Sequence, residues 1–570
     1  MALSKGNEDN CEVTDGTKEE KRGNKKPYSP FCSLCVSVVR DFIVPNSTRK
    51  EHKMSEKKRY LVGYRHGATV PKDIETVMDS FATEREGVRS VRKLKSGHFI
   101  LEMTEEQASE LSRKQPDLII EEDKELELFL PMPGLMPRVP VEAEISLNVK
   151  VVDEKTDQPV SDSTIYCVGT EVTYKGITDK NGVAHVKVYE TQLKHIIVSP
   201  RDKYWSKVIP SPHVEKNAQI SARLKEIPVN GSYNWGHLYI GIDKVSQKFT
   251  GRGVKVAVID SGIANHEDLK TTGGYNTLDG QDPKAWNIDE KGHGTHCTGI
   301  ISAQQNQIGI IGVAPGAEIY SLKVFPGGKF SDLIEAINWC VDNYMDVISM
   351  SMGSRSPSAQ IEQALMEANE RGITCIAAAG NDGGQVSYPA AYESVIAVSA
   401  IGKLGTFPED SAHTLKIGNI FGYDGEIFLA NFSNFGHQIA VCAPGIAILS
   451  SVPTGYVSWD GTSMACPFIS GLTALILEAY PEIRTGDGWQ PYYVREIIRN
   501  SATDIGLHPE MQGAGLPNAE VALASAYSRR EDEEQTLASY KEYMESLLER
   551  AKRCTRNIEQ SLAKLEKMGT

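Results

Sequence analysis

Three short stretches of this chain carry side chains that could together attack an acyl bond. Ser463 sits in Gly461-Thr462-Ser463-Met464-Ala465-Cys466-Pro467, His293 in Gly292-His293-Gly294-Thr295-His296, and Asp260 in Val256-Ala257-Val258-Ile259-Asp260-Ser261-Gly262. A serine hydroxyl is a weak nucleophile until a base removes its proton during attack. An imidazole does this only in the correct tautomer, which a carboxylate on its other nitrogen fixes. Asp260 ends an apolar run, so a strand would carry it to the carboxyl edge of a sheet. Ser463 stands ahead of an apolar helical run from Ala465 to Tyr480, where a helix N-terminus favours a developing anion. Singly, each motif has an ordinary reading: a turn, two structural or metal-binding histidines, a helix cap.

In the order Asp, His, Ser, the three motifs resemble those of the subtilisin-like serine proteases (subtilases), across roughly residues 230–527. The resemblance implies a serine endopeptidase acting through an acyl-enzyme, with Ser463 as nucleophile, His293 as base, Asp260 as orienting carboxylate and His296 structural. Ala377-Ala378-Ala379-Gly380-Asn381-Asp382 resembles the family's oxyanion motif, which implies Asn381 and the Ser463 N–H as donors. Ser351-Met352-Gly353 resembles the strand edge that pairs with substrate, and Ala378-Ala379-Gly380 the opposite wall of the primary pocket. Ser387 would form the floor of that pocket; being small and uncharged, it implies a preference for sizeable apolar side chains. Gln304-Gln305-Asn306-Gln307-Ile308-Gly309-Ile310 resembles the family's calcium loop. Side-chain oxygens of Asp268 and Asn306 and the carbonyls of Gln304, Ile308 and Ile310 would be the ligands. Two other functions stay open at this level: an inert protease fold serving as a scaffold, and a transpeptidase or macrocyclase in which an amine takes the acyl group.

Positioning these groups requires a sheet. Apolar runs at Val254–Ile259, Ile319–Val324, Val347–Met350, Ile373–Ala378 and Val395–Val398 alternate with helical stretches, one starting at Ser331. This predicts an α/β fold with a parallel sheet flanked by helices. The stretch Gly405–Leu429 departs from the family pattern and is expected to be a surface flap.

Upstream, residues 58–128 read as β-α-β-β-α-β, a ferredoxin-like order. Tyr60, Val62 and Tyr64 alternate, Ile74, Val77, Met78 and Phe81 follow helical spacing, and Thr104 with Gln107 forms a capping box. The unit resembles the inhibitory prosegment of subtilases, which implies that the chain's own prosegment is an intramolecular inhibitor. A Pro-rich linker follows, and then residues 144–227 alternate as a small immunoglobulin-like or transthyretin-like β-sandwich. That module departs from the family, whose prosegment runs straight into the protease. Self-cleavage is expected within the apolar stretch Leu126–Leu130, leaving the sandwich on the mature enzyme.

Residues 1–57 are polar and aperiodic and read as disordered, with Met54 an alternative to Met1 as the start. In 530–570 the residues Leu537, Met544, Ala551, Ile558 and Leu565 recur every seven, predicting a C-terminal helix, docked or coiled. A net charge of −14 argues against a nucleic-acid partner. No uninterrupted apolar run approaches the ~20 residues of a membrane span. Cys32-x-x-Cys35 has no second half of a metal site nearby. Cys297, Cys340, Cys375, Cys442, Cys466 and Cys554 lack disulfide-framework spacing, which predicts reduced thiols and a cytoplasmic setting.

Overall fold

The strand Lys58–Tyr64 (β1) is apolar on both faces, and both faces are covered. Tyr60 and Val62 pack with Met78, Phe81, Leu101 and Leu111 under the helices Ile74–Glu84 (α1) and Glu105–Lys114 (α2). Leu61 points the other way. With Leu94 and Ile100 it joins a cluster holding Phe330, Leu333 and Ile361 of the large α/β unit. Arg89–Lys93 (β2), Phe99–Met103 (β3) and Leu118–Glu122 (β4) complete an antiparallel sheet in the order β2-β3-β1-β4. A two-residue strand, Glu127–Leu128 (β5), leaves this unit for the large one.

The computed structural model describes residues 56–65, 74–85, 87–129, 145–215, 218–245, 248–485, 488–524 and 552. The Cys32–Cys35 pair, Met54, most of the Pro-rich linker and the heptads of the tail lie outside them.

Seven strands make the sandwich: Ile145–Asp153 (β6), Thr164–Val168 (β7), Thr173–Ile177 (β8), Val183–Val188 (β9), His195–Ser199 (β10), Lys207–Pro210 (β11) and Gln219–Leu224 (β12). They form two sheets, β11-β10-β7-β8 and β12-β6-β9. Leu147, Val149, Val151, Ile165, Val186 and Ile196 fill the space between. The turn at Asp179–Gly182, closed by the Asp179 carboxylate on the Asn181 and Val183 N–H groups, crosses between sheets rather than closing a hairpin.

After the short helices Trp235–Tyr239 (α3) and Ile242–Val245 (α4), the α/β unit begins with Lys255–Asp260 (β13) and Thr271–Asn276 (β14). His293–Ser302 (α5), Glu318–Lys323 (β15), Phe330–Asp342 (α6), Val347–Met350 (β16), Met352–Gly353 (β17), Ala359–Glu370 (α7), Thr374–Ala378 (β18) and Val395–Lys403 (β19) follow. Neighbours from β14 to β19 pair in parallel in the order β14-β15-β13-β16-β18-β19. Side chains alternate between two covered faces. Val256 and Val258 go to the side of α5 and the long helix Thr462–Ala479 (α8), while Ala257 and Ile259 go to α6 and α7. Each fully buried aliphatic side chain contributes roughly 1.5–3 kcal/mol. Helix α8 is long and apolar enough to cross a membrane by composition, and it is almost wholly buried in this core.

The stretch expected to be a surface flap does lie largely at the surface over 405–426, but its strands belong to the main sheet. Ile417–Phe421 (β20) and Ile427–Ala430 (β21) extend the main sheet, β21 pairing antiparallel with β19. The four residues of β21 are apolar and buried, so they need a sheet and a core rather than solvent. Ile439–Pro444 (β22) pairs with β19 in parallel. The hairpin Ile448–Val452 (β23) and Gly455–Trp459 (β24) leads directly to Ser463.

Candidate active site

Asp260 is the last residue of β13 and His293 the first of α5. Their approach depends on missing side chains. A Cβ on Gly294 would lie 2.1 Å from the Gly262 carbonyl oxygen and 3.1 Å from Asp260 Cβ. Gly262 itself has φ +105, a conformation side chains rarely adopt. His293 Nδ1 lies 2.8 and 3.0 Å from the two Asp260 oxygens, and both groups are buried. Burial pushes the imidazole pKa down, but the charges of Asp260 and Asp289 outweigh it and leave it raised.

Asp289 escaped the sequence reading. It is buried, accepting from the Ser261 hydroxyl and the Gly292 N–H with one oxygen, and from the Thr295 N–H and hydroxyl with the other. It fixes the first turn of α5 and therefore His293. An acid a few residues ahead of a helix start was the available signal.

Ser463 lies in the first turn of α8, which begins at Thr462 and not after the serine. Its hydroxyl is 3.2 Å from the Ser351 carbonyl and 3.4 Å from the Phe129 carbonyl. No hydrogen bond joins it to His293 Nε2, which is buried without a partner. The nearby Phe129 carbonyl adds to the groups that raise the His293 pKa. Asn381 Oδ1 accepts from the Thr462 N–H at 3.0 Å and the Thr462 hydroxyl at 2.8 Å.

His296 contacts the Val457 carbonyl through Nε2 and stacks on Trp459 at 4.7 Å; burial pushes its pKa down to about 3. Asp260, His293 and Cys297 lie close enough to chelate, but burial pushes the thiol pKa well up, which makes it a poor ligand.

An extended segment of the same chain occupies the cleft. Met352 pairs with Leu128 and Gly353 with Glu127 in an antiparallel ladder. On its other side the Leu126 N–H donates to the Gly328 carbonyl and Glu125 bridges to Lys329. The Phe129 ring packs against the residues expected to form the primary pocket: a Cβ on Gly353 would fall 2.3 Å from the ring and 3.1 Å from Ser387 Cβ. Ala378, Ala379 and Gly380 are buried, and Gly380 turns under Asn434, whose amide donates to the Ser387 hydroxyl at 3.2 Å. Ser351, beside β17, donates to the Ser463 carbonyl at 3.0 Å.

Two carboxylates hold this segment by capping helices. Asp123 accepts from the Ser331 N–H and hydroxyl at α6, and Glu121 from the N–H groups of Ala359 and Gln360 at α7. Each such pair is worth typically 0.3–1 kcal/mol, up to ~2 when partly buried. Arg92 joins Asp332 at 2.9 Å across the same contact.

His98 and Gln360 both pack against the Gly63 backbone, and burial pushes the His98 pKa down to about 4. A solvated imidazole titrates near 6.5, so the docked state prefers the neutral ring. That contribution is present above about pH 6.5 and lost as pH falls towards 4. If the chain is cut after residue 129, the N-terminal unit is expected to dissociate roughly tenfold more readily at pH 5 than at pH 7. Gel filtration of the cut protein measures this, and His98→Gln should flatten the dependence.

In the predicted calcium loop, Asp268 Oδ2 accepts from the Ile310 N–H at 3.0 Å and the Tyr456 hydroxyl at 3.2 Å. Its Oδ1 is buried with no partner, and burial pushes the carboxyl pKa up to about 6. The Asn306 amide also reaches Asp268, while its Oδ1 accepts from the Ile308 N–H. The Gln304 side chain is turned away, onto the Ser302 and Pro315 carbonyls. Gly231, bonded to the Gly309 carbonyl, passes beside the loop without a side-chain oxygen.

The family model of the subtilases matches residues 251–518. M-protease of Shouchella clausii is 35% identical over 332 residues, covering 57% of this chain and 77% of its own. The chain belongs to the subtilase family. Subtilisin Savinase of Lederbergia lenta is 38% identical over 278 residues, 48% of this subtilase and 91% of its own length. Subtilisin DY of Bacillus licheniformis is 37% identical over 299 residues, 50% and 97% of the two chains. This subtilase is a subtilisin-like serine endopeptidase with an α/β fold.

Proposed function

We propose that this endopeptidase acts through Ser463, His293 and Asp260, and that it cuts its own chain after Phe129. The Phe129 carbonyl beside the Ser463 hydroxyl, at the end of a strand paired to Met352–Gly353, carries the reading. His293 Nε2 takes the hydroxyl proton as Ser463 Oγ bonds to the carbonyl carbon, while Asp260 holds the imidazole and balances its charge. The oxygen, now an anion, is met by the Asn381 amide and the Ser463 N–H. Collapse breaks the C–N bond, and His293 returns its proton to the leaving amine. Water then repeats the sequence on the acyl-enzyme.

The segment before the cut is an inhibitor by the same contacts that made it a substrate. Its strand fills the groove, Phe129 fills the pocket, and Glu121 and Asp123 tie it to α6 and α7. Substrates are accordingly peptides with a large apolar residue before the cut. N-terminal sequencing of purified active protein is the test. A new terminus at Leu130 is expected, and active enzyme with an unchanged terminus would refute the reading.

We also propose that Asp268, Asn306 and the backbone of Gln304–Ile310 hold a structural calcium ion. The buried, unpartnered Asp268 Oδ1 supports it, as an oxygen that a hard cation would satisfy. The ion takes no part in the chemistry. At free calcium 100–1,000 times Kd it stabilises by about 2.7–4 kcal/mol. Chelation should lower Tm by several degrees, and Asp268→Asn should abolish that response. The described cysteines are six buried free thiols, which supports a reducing compartment such as the cytoplasm.

A further inference from the structure

A cavity of about 750 Å³ lies between the sandwich and the α/β unit, lined in part by residues that closely precede His293 and Ser463 in the chain. Trp459 lines it, and the same indole stacks on His293 at 6.4 Å. Glu290 and Lys291, just ahead of His293, and Asp460, just ahead of Gly461, line it too. None of its lining residues belongs to the walls that hold Glu125–Phe129, namely Ser351–Gly353 and Gly328–Lys329. The cavity and the groove before the cut therefore have separate walls, and Trp459, packed on His293, borders the cavity.

The far wall is the β11-β10-β7-β8 sheet, contributing Tyr166, Lys175 and Ile197; the inserted segment before β20 contributes His413 and Lys416. This wall is fixed in place. Lys207 bonds Asp410 at 2.5 Å, the Val208 N–H donates to the Asp410 carbonyl at 2.7 Å, and the Lys203 N–H to the Tyr456 carbonyl at 3.0 Å. The sandwich is thus tied both to the insertion and to the hairpin that leads to Ser463.

We propose that the sandwich and the insertion form a binding site for the leaving half of an extended polypeptide substrate, the residues after the cut. The proposal rests on the Ser463 reading above and extends it to a module that a subtilase core does not supply. Tyr166, Ile197 and Trp459 offer an apolar seat for a large side chain. Lys175, Arg201, Lys291 and Lys416 border the cavity against Asp162, Glu290 and Asp460. Asp460 is already engaged, accepting from His413 Nδ1 at 2.7 Å and the Ala447 N–H at 2.8 Å, so the balance favours acidic residues in the ligand. His413 is almost fully buried in the cavity wall, where it holds Asp460 in place.

The test compares two classes of substrate on enzyme prepared from the full chain. Glu-Leu-Glu-Leu-Phe p-nitroanilide has no leaving polypeptide. Internally quenched peptides continue the same five residues into either a Leu/Asp-rich or a Gly/Lys-rich extension. Wild type should cleave the Leu/Asp peptide with kcat/KM about tenfold above the Gly/Lys one, the scale of a single pocket's discrimination. Tyr166→Ala should remove most of that preference, and Lys175→Glu, at an exposed position, should reverse its charge component. Both should hydrolyse the anilide as wild type does. Parallel loss on anilide and peptides in both variants would assign these residues to stability and overturn the proposal, as would unchanged preference in both. A wild type inert towards the anilide would instead count against the Ser463 reading.

Discussion

Ser463→Ala is expected to lower peptide hydrolysis about 10⁶-fold, a loss of the size known for nucleophile removal in subtilisin, a member of this family. Once the hydroxyl is absent, His293 has no proton to take and Asp260 no imidazolium to balance. His293→Ala should therefore cost about as much, and the double variant little more. The residual rate comes from donors and binding contacts that do not need the serine. The same variant should keep its chain whole, with Phe129 still beside Gly353 and Ser387. Two readouts follow: kcat/KM on a peptide ending in phenylalanine before the cut, and the N-terminal sequence. A Ser463→Ala protein within tenfold of wild type, or one still cut at Leu130, is incompatible with the assigned nucleophile.

The acidic side of the rate profile provides a milder check. His293 works only as the neutral base, and the charges of Asp260 and Asp289 raise its pKa against burial. Removing Asp289, the more distant charge, should move the rise in activity to lower pH while loosening the first turn of α5.

Chemistry was more legible in this sequence than packing. Asp260, His293 and Ser463 stand in small-residue motifs because backbone must approach within contact of their side chains, and glycines such as Gly294 write that need into the chain. Strands β13, β16 and β18 were readable as apolar runs because helices cover both of their faces. Leu61 and Ile100 were invisible for the converse reason. Alternation in β1 and β3 revealed the face toward α1 and α2, whereas the opposite face becomes core only against Phe330 and Leu333, more than two hundred residues onward. The strands of the insertion were missed on similar grounds. A short apolar run such as Ile427–Ala430 carries no sign of its partner, and β19 is what makes it a strand. Helix-capping acids had the weakest signal. Glu121 and Asp123 stood out as an acidic run after the last strand, but that they meet α6 and α7 follows only from tertiary structure.

Asn381→Ala is expected to lower kcat by about 10²–10³, or roughly 2.7–4 kcal/mol of transition-state stabilisation, with KM little altered; the figure comes from subtilisin's own oxyanion asparagine. The orientation of this amide is forced. Its partner at 3.0 Å is the Thr462 N–H, a donor, so the atom facing Thr462 must be the carbonyl oxygen. The NH₂ end then lies beside Gly461 at the start of α8, 3.4 Å from where a Cβ on that glycine would stand. An uncharged substrate carbonyl gains little from it, whereas an oxyanion in a water-poor site gains much, so the loss should fall on kcat. Alanine also removes the anchor on Thr462, and a structural explanation would predict some of the same loss. Asn381→Asp separates the two. It keeps an acceptor for both Thr462 bonds but sets a negative charge where the anion forms, so it should be at least as inactive as the alanine variant while retaining the wild-type Tm. Near-normal kcat in the aspartate variant would mean that Asn381 supports Thr462 and does not meet the oxyanion.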